Sequence, residues 1–266
     1  MVQMPISDNP SLTKKTLLDQ STAVRTGMLA EVRDVCNKIK PNYDGVRKYS
    51  TSIKDWLLPI IDLREYHVYP ISGITEGLNW WYDKETRTVD VAQGDYQWII
   101  KTGSDVRYVS MPSAIDGNLH TINDDRPIVL DLAYVGSTPY IQISNRSVEK
   151  AFYSLSKPFG IRNIRTGWYF SKTADERLDR LIHNAKYFNY YACDVAEAVI
   201  NQFKIGHVYN RLHTQQSSIC DLFGLTPSDS VWLATSTDDE YTKFRRQGNI
   251  ARICLAGLYD YAAKKI

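Results

Sequence analysis

Pro127-Ile128-Val129-Leu130-Asp131-Leu132-Ala133-Tyr134 is an apolar run interrupted by one carboxylate. Four consecutive apolar or strand-forming residues without polar alternation fit a strand covered on both faces, the kind found in parallel sheets. Desolvating an ionised carboxylate at the end of such a strand is costly, so Asp131 needs a cation or hydrogen-bond donors facing it. Taken alone, a nearby arginine or a helix cap would meet that need as well as a ligand would. Working outward, strand-like runs recur at Val106 to Met111 and near Val68. The latter leads through Ser72-Gly73 into a helical stretch that carries Leu78, Trp81 and Tyr82. Short apolar runs separated by turns and helices predict an α/β layer architecture with buried, partly parallel strands.

The flanks have a different texture. Between residues 11 and 40, Leu17, Leu18, Val24, Met28, Leu29, Val32, Val35 and Ile39 recur at three- and four-residue steps, which predicts a helical, core-facing stripe. Arg177 to Phe223 contains no proline and many helix formers, and predicts two long helices broken near Ile205-Gly206. The C-terminal stretch reads as strand (Ser230 to Thr235), helix (Glu240 to Gln247), strand (Ile250 to Leu255) and helix (Tyr259 to Lys265). At roughly 150 residues per domain, 266 residues predict about two domains. The expected division is an N-terminal helical segment (1–65), a large α/β domain (66–200) and a small α+β domain (201–266).

Composition narrows the function. Lys and Arg number 32 against 30 Asp and Glu, and a net charge of +2 gives no global electrostatic case for nucleic acid or an anionic membrane surface. Hydrophobic and charged fractions of 43% and 23% are those of a globular chain. Cys36, Cys193, Cys220 and Cys254 form no CxxC pair and the five histidines no HExxH, so neither a disulfide framework nor a usual metal motif is expected. No apolar run approaches the ~18 residues that span a bilayer, and the N-terminus lacks the apolar core of a signal peptide. The expectation is a cytoplasmic protein that acts on small molecules.

Three further stretches could carry chemistry. Ser154-Leu155-Ser156-Lys157-Pro158-Phe159-Gly160 sets a lysine between small hydroxyls and a proline that disfavours helix before it, holding the amine in an irregular turn. At the surface this is an ordinary turn lysine; buried, its pKa falls and it becomes a nucleophile able to form a Schiff base with an aldehyde. Ser72-Gly73-Ile74-Thr75 precedes a helix, where free N–H groups and hydroxyls make either a plain N-cap or an anion site. Tyr96, in Gly94-Asp95-Tyr96-Gln97-Trp98, is one of 18 tyrosines and reads as core before it reads as a stacking platform.

Taken in order, Ser72-Gly73-Ile74, Tyr96, Asp131-Leu132-Ala133-Tyr134, Ser154-Leu155-Ser156-Lys157, Arg165 and Arg252 in Ile250-Ala251-Arg252-Ile253-Cys254-Leu255 form a series. This series resembles the fold type I pyridoxal-phosphate enzymes, specifically the class I and II aminotransferases related to aspartate aminotransferase, in compact form. The resemblance implies an α/β fold with a mixed, mostly parallel central sheet flanked by helices, plus a small C-terminal α+β unit. It also implies pyridoxal 5'-phosphate as cofactor and ping-pong transfer of an amino group between an amino acid and a 2-oxo acid.

By that resemblance Lys157 looks like the Schiff-base lysine that also moves the substrate proton. Asp131 would face the pyridine nitrogen, and Tyr134 would donate to the ring's phenolic oxygen. Ser72, Gly73, Ile74, Ser154 and Arg165 would cradle the phosphate, Tyr96 would stack on the ring, and Arg252 would fork onto the substrate α-carboxylate. Where family members carry an asparagine donor in an Asn-Pro turn, the comparable stretch Met111-Pro112-Ser113-Ala114-Ile115-Asp116-Gly117 has Ala114. The resemblance further implies a homodimer with shared active sites. The same fold and cofactor serve lyases, racemases and decarboxylases, and a binding protein that kept the scaffold without turnover is the reading from another class.

Overall fold

The computed structural model describes residues 12–40, 46–95 and 103–259. Its centre is a six-stranded sheet built from β1 (His67–Ile71), β2 (Val89–Val91), β3 (Val106–Ser110), β4 (Ile128–Asp131), β5 (Val148–Tyr153) and β6 (Gly167–Ser171), in the order β1-β6-β5-β4-β3-β2. β2, β3, β4 and β5 pair in parallel, whereas β6 runs antiparallel to both β5 and β1. Every residue of β4 and β6 is buried, as a sheet covered on both faces requires.

Alternation along the strands splits the interior into two layers. Ile128, Leu130, Ala151, Tyr153, Trp168 and Phe170 enter one buried cluster, and their neighbours Val129, Phe152 and Tyr169 enter the other. The helices are α1 (Lys14–Leu18), α2 (Ala30–Lys38), α3 (Val46–Leu57), α4 (Ile74–Tyr82), the single turn α5 (Glu176–Leu178), α6 (Tyr190–Gln202) and α7 (His207–Phe223). α4 packs on β1, β5 and β6, while α6 packs against α2 and α3. No helix among the described residues is long and apolar enough to cross a membrane.

A second, antiparallel sheet holds β7 (Thr226–Pro227), β8 (Leu233–Ser236), β9 (Arg245–Gln247) and β10 (Ile250–Cys254), in the order β7-β8-β10-β9. α7 leads into it and ends at Gly224, whose φ of 64° gives the left-handed cap. From α7, the buried Gln216 amide donates to the carbonyls of Ser228, Ser230 and Leu233, fixing the turn that enters β8.

Local departures from the sequence expectations have physical causes. The stripe over residues 11 to 40 is two helices, α1 and α2, joined by non-helical backbone at residues 24–29. Val24 and Leu29 are buried as the stripe predicts, but the backbone between them is used in contacts with the turn around Lys157. The break near Ile205-Gly206 is present, and a second one follows a π-helical turn (Asp179–Asn184): Lys186 has φ 53°, and Asn189 caps α6 by accepting from Ala192 N–H. The expected helix at 240–247 is a 3-10 turn, Asp239–Phe244, that passes directly into β9. The expected helix from Tyr259 to Lys265 lies, after its first residue, outside the described residues.

Phe152 is fully buried and stacks on Tyr169 with ring centroids 4.9 Å apart. Phe152→Ala is expected to lower the unfolding free energy by about 3–5 kcal/mol, read as a lower urea midpoint by circular dichroism.

Candidate active site

Strand direction gathers the candidate residues. The carboxyl ends of β1, β3, β4 and β5 and the amino end of the reversed strand β6 share one edge of the sheet. In open α/β sheets this edge is where ligands bind. Ser72-Gly73 follows β1, Asp131 ends β4, Ser154 follows β5 with Lys157 just beyond, and Arg165 precedes β6.

The turn after β1 has the form of an anion cradle. Gly73 has φ +104°, and a Cβ built there would lie 3.0 Å from Arg165 Nη2, so the guanidinium rests directly over the glycine. Arg165 itself has φ 62° and makes no ion pair among the described residues. A Cβ at Gly167 would lie 2.9 Å from the Tyr153 carbonyl and 3.3 Å from Gly73 Cα, which draws the starts of α4 and β6 together. Ser154 Oγ donates to the Thr166 carbonyl at 2.6 Å and accepts from Ser156 N–H. The buried hydroxyls of Ser156 and Thr166 have no partner among the described residues. Ser72 N–H donates to Glu76 Oε2 at 2.5 Å, a reach-back contact that closes the helix start. Ile74 buries its side chain beneath α4, so only its backbone N–H is available to an anion.

Asp131 is 2% exposed. Tyr108 Oη donates to its Oδ2 at 2.8 Å, and Ala133 N–H donates to Oδ1 at the same distance. Burial outweighs these donors and pushes the carboxyl pKa up to about 7, with Asp95 adding to the rise and Lys157 opposing it. Lys157 is half-buried; burial lowers its pKa to about 8, and its Nζ donates to the Val24 carbonyl at 2.8 Å. The same amine lies 5.8 Å from the centre of the Tyr134 ring. Burial raises the Tyr134 phenol to about 12, with Arg252 pulling the other way. Arg252 reaches in from β10, is 4% exposed, and donates from Nη1 to the Ala114 carbonyl. Burial lowers its pKa as well.

The fold therefore brings Asp131, Tyr134, Lys157 and Arg252 into mutual electrostatic contact, and Ser72, Gly73, Ser154 and Arg165 into a second group on the same edge. Tyr96 lies outside the described residues. Sequence reasoning missed Tyr108, which parallel pairing of β3 with β4 sets one register step from the aspartate: Tyr108 pairs with Val129 and Ser110 with Asp131. It also missed the segment Val24 to Met28, which lies across the lysine turn. Beyond the Val24 contact, Thr26 Oγ1 donates to the Ser156 carbonyl, and a Cβ at Gly160 would fall 2.1 Å from the Gly27 carbonyl. A threonine-glycine pair inside an apolar helical stripe was the available signal.

The cleft of about 770 Å³ between α4 and the far ends of β5 and β6 lies away from this chemistry, and Lys84–Asp175 and Arg87–Glu149 pair across its wall. No group of three or more His, Cys, Asp or Glu residues among the described residues is placed to hold a metal. What the edge offers is a desolvated amine, a buried acid and an anion-shaped turn.

No family model matches the sequence, and no curated protein matches it. Solved structures do. An aromatic aminotransferase from Pyrococcus horikoshii superposes with a TM-score of 0.67 at 9% identity, over 97% of this chain and 95% of the other. An aminotransferase from Staphylococcus aureus gives 0.61 at 12% identity, over 98% and 96%. A pyridoxal-phosphate-bound C–S lyase from Staphylococcus hominis gives 0.61 at 14% identity, over 93% and 90%. The chain has the fold type I architecture that these enzymes share.

Proposed function

We propose that the protein is a pyridoxal-phosphate-dependent aminotransferase, exchanging an amino group between an amino acid and a 2-oxo acid, and that it works as a homodimer. The observation that carries this reading is the convergence of a desolvated lysine and a buried aspartate on one sheet edge, beside a glycine turn capped by an arginine. The residues fit the cofactor on three counts. Any side chain at Gly73 would fill the space against the Arg165 guanidinium, the Ser156 and Thr166 hydroxyls lack partners, and Asp131 has hydrogen-bond donors but no ion pair among the described residues.

When bound, pyridoxal phosphate supplies an aldehyde for amine exchange and a ring that accepts electrons. Lys157 would hold it through its amine, and would be the base that takes the proton from the substrate Cα. A pKa near 8 leaves part of the amine neutral at physiological pH, as a base requires. Asp131 would keep the proton on the ring nitrogen, and that cation would offset the burial of its own charge. Tyr134 would donate to the phenolic oxygen, and Arg252 would orient the substrate carboxylate as a planar fork. The Val24–Met28 segment shields the lysine from bulk water. The lyase among the compared structures favours β-elimination as the second reading, since the bond broken depends on how the substrate is oriented.

Addition of pyridoxal phosphate is expected to give a visible or near-ultraviolet absorbance band that borohydride fixes onto the Lys157 peptide. Lys157→Ala should lose the band with its melting temperature retained. An amino acid should remove the band and a 2-oxo acid restore it; release of ammonia without restoration would select the lyase reading. Protein that stays colourless and takes up no cofactor overturns the proposal.

The pH dependence of the cofactor-free protein tests the environment of Asp131 independently. Its folded pKa, about 7, lies above the ordinary aspartate value of 3.8, so the native state holds a proton that the unfolded chain releases. The contribution is fully present at low pH and is lost as pH rises towards 7. Asp131→Asn is expected to flatten this part of the stability profile and to be the more stable protein at pH 8, measured by urea unfolding at pH 5 and pH 8.

A further inference from the structure

Arg252 is a buried guanidinium with no carboxylate partner among the described residues. Its one hydrogen bond is to the Ala114 carbonyl. A buried cation held this way calls for an anion, and what orients it decides which anion fits. Ala114 is fixed in turn. Its N–H donates to Ser110 Oγ at 2.8 Å, and Ser110 Oγ donates to Asp95 Oδ2 at 2.7 Å. Ser110 and Asp95 are 7% and 8% exposed, so water competes little for these bonds.

The loop carrying Ala114 is also tied to the second sheet. Ser113 N–H donates to the Asn118 carbonyl, Ser230 N–H to the Gly117 carbonyl, Ser228 Oγ to the Asp116 carbonyl and Asp229 N–H to Asn118 Oδ1. At its other end Met111 N–H donates to the Asp131 carbonyl and Met111 is buried, which leaves the Ser110 hydroxyl as the group that holds the Ala114 N–H.

We propose that Asp95 and Ser110 are positioning residues: acting through the Ala114 backbone, they hold the Arg252 guanidinium so that its remaining donors receive a substrate carboxylate. This rests on the aminotransferase reading of Arg252 and extends it. At Ala114 a backbone carbonyl, aimed by a serine and an aspartate, orients the arginine. Among the described residues the Ser110 hydroxyl both receives the Ala114 N–H and reaches Asp95. Its removal takes the acceptor from that part-buried N–H and one donor from Asp95 Oδ2.

The test is an equilibrium absorbance titration of the pyridoxal-phosphate-loaded protein with the standard amino acids. The best-binding amino acid is then compared with the amine that lacks its carboxylate. Ser110→Ala is expected to reduce the preference for the amino acid over the amine by about tenfold, with amine binding unchanged and the folded circular dichroism spectrum retained, although the melting temperature falls. Ser110→Thr, which keeps the hydroxyl, should retain the preference, and Arg252→Ala should abolish it. If Arg252→Ala abolishes the preference and Ser110→Ala leaves it intact, the relay is overturned while the aminotransferase reading stands; a threonine variant as impaired as the alanine one also counts against the relay. Unchanged preference in Arg252→Ala, or no response of the wild type to any amino acid, overturns both.

Discussion

Placing the Asp131 carboxylate at the buried end of β4 is the constraint around which the sheet edge is arranged. Two neutral donors, the Tyr108 hydroxyl and the Ala133 N–H, stabilise the charge without overcoming the loss of water, which is why the carboxyl titrates near neutrality. Lys157 meets the same burial with the opposite sign and is pushed towards its neutral form. The two groups feel each other electrostatically, yet the lysine gives its hydrogen bond to the Val24 carbonyl. A pair locked as a salt bridge would have satisfied both charges and left neither for chemistry. Here each keeps an unmet electrostatic demand, which is what a pyridinium and an aldehyde would answer.

Topology explains how so short a chain collects these groups. Parallel strands present only their carboxyl ends at a given edge, so residues that follow β1, β4 and β5 meet there. The reversed strand β6 adds its amino end to the same edge and brings Arg165 and Thr166, which precede it, beside Gly73. A sixth parallel strand would have sent that arginine to the opposite side of the sheet. The antiparallel strand thus supplies the glycine turn with a guanidinium at close range.

Much of this was legible in the chain. The Pro127–Tyr134 run announces a covered strand, and the hydroxyl-lysine-proline turn announces an unusual amine, because both depend on local sequence and on burial periodicity. The capping of Asp131 by Tyr108 was not legible, since it follows from the register between β3 and β4, which no local signal sets. The N-terminal stripe misled for a related reason. Val24 and Leu29 are buried as a helix face would bury them, but the stretch is non-helical, and the Val24 carbonyl and the Thr26 hydroxyl bond the lysine turn. At residues 240–247, Asp238 caps a 3-10 turn, and pairing with β10 then claims the residues that follow as a strand. Non-local pairing overrides propensity in each case.

The division of labour between the two sheets bears on which reaction the site would run. Lys157 and Asp131 belong to the first sheet, and Arg252 belongs to the second. On the proposed function, which substrate bond is presented depends on how the arginine holds the substrate relative to the lysine. The loop that contacts the arginine, residues 110–118, is clamped to Asp95 at one end and to the Ser228–Ser230 turn at the other, and its Met111 N–H donates to the Asp131 carbonyl. A short loop tied at both ends has few conformations to choose from, so it fixes the arginine more narrowly than a side-chain contact across a mobile gap would. On the proposed function, a change in the length of this loop would move the arginine relative to Lys157 and alter which substrate bond is presented, without touching either charged group.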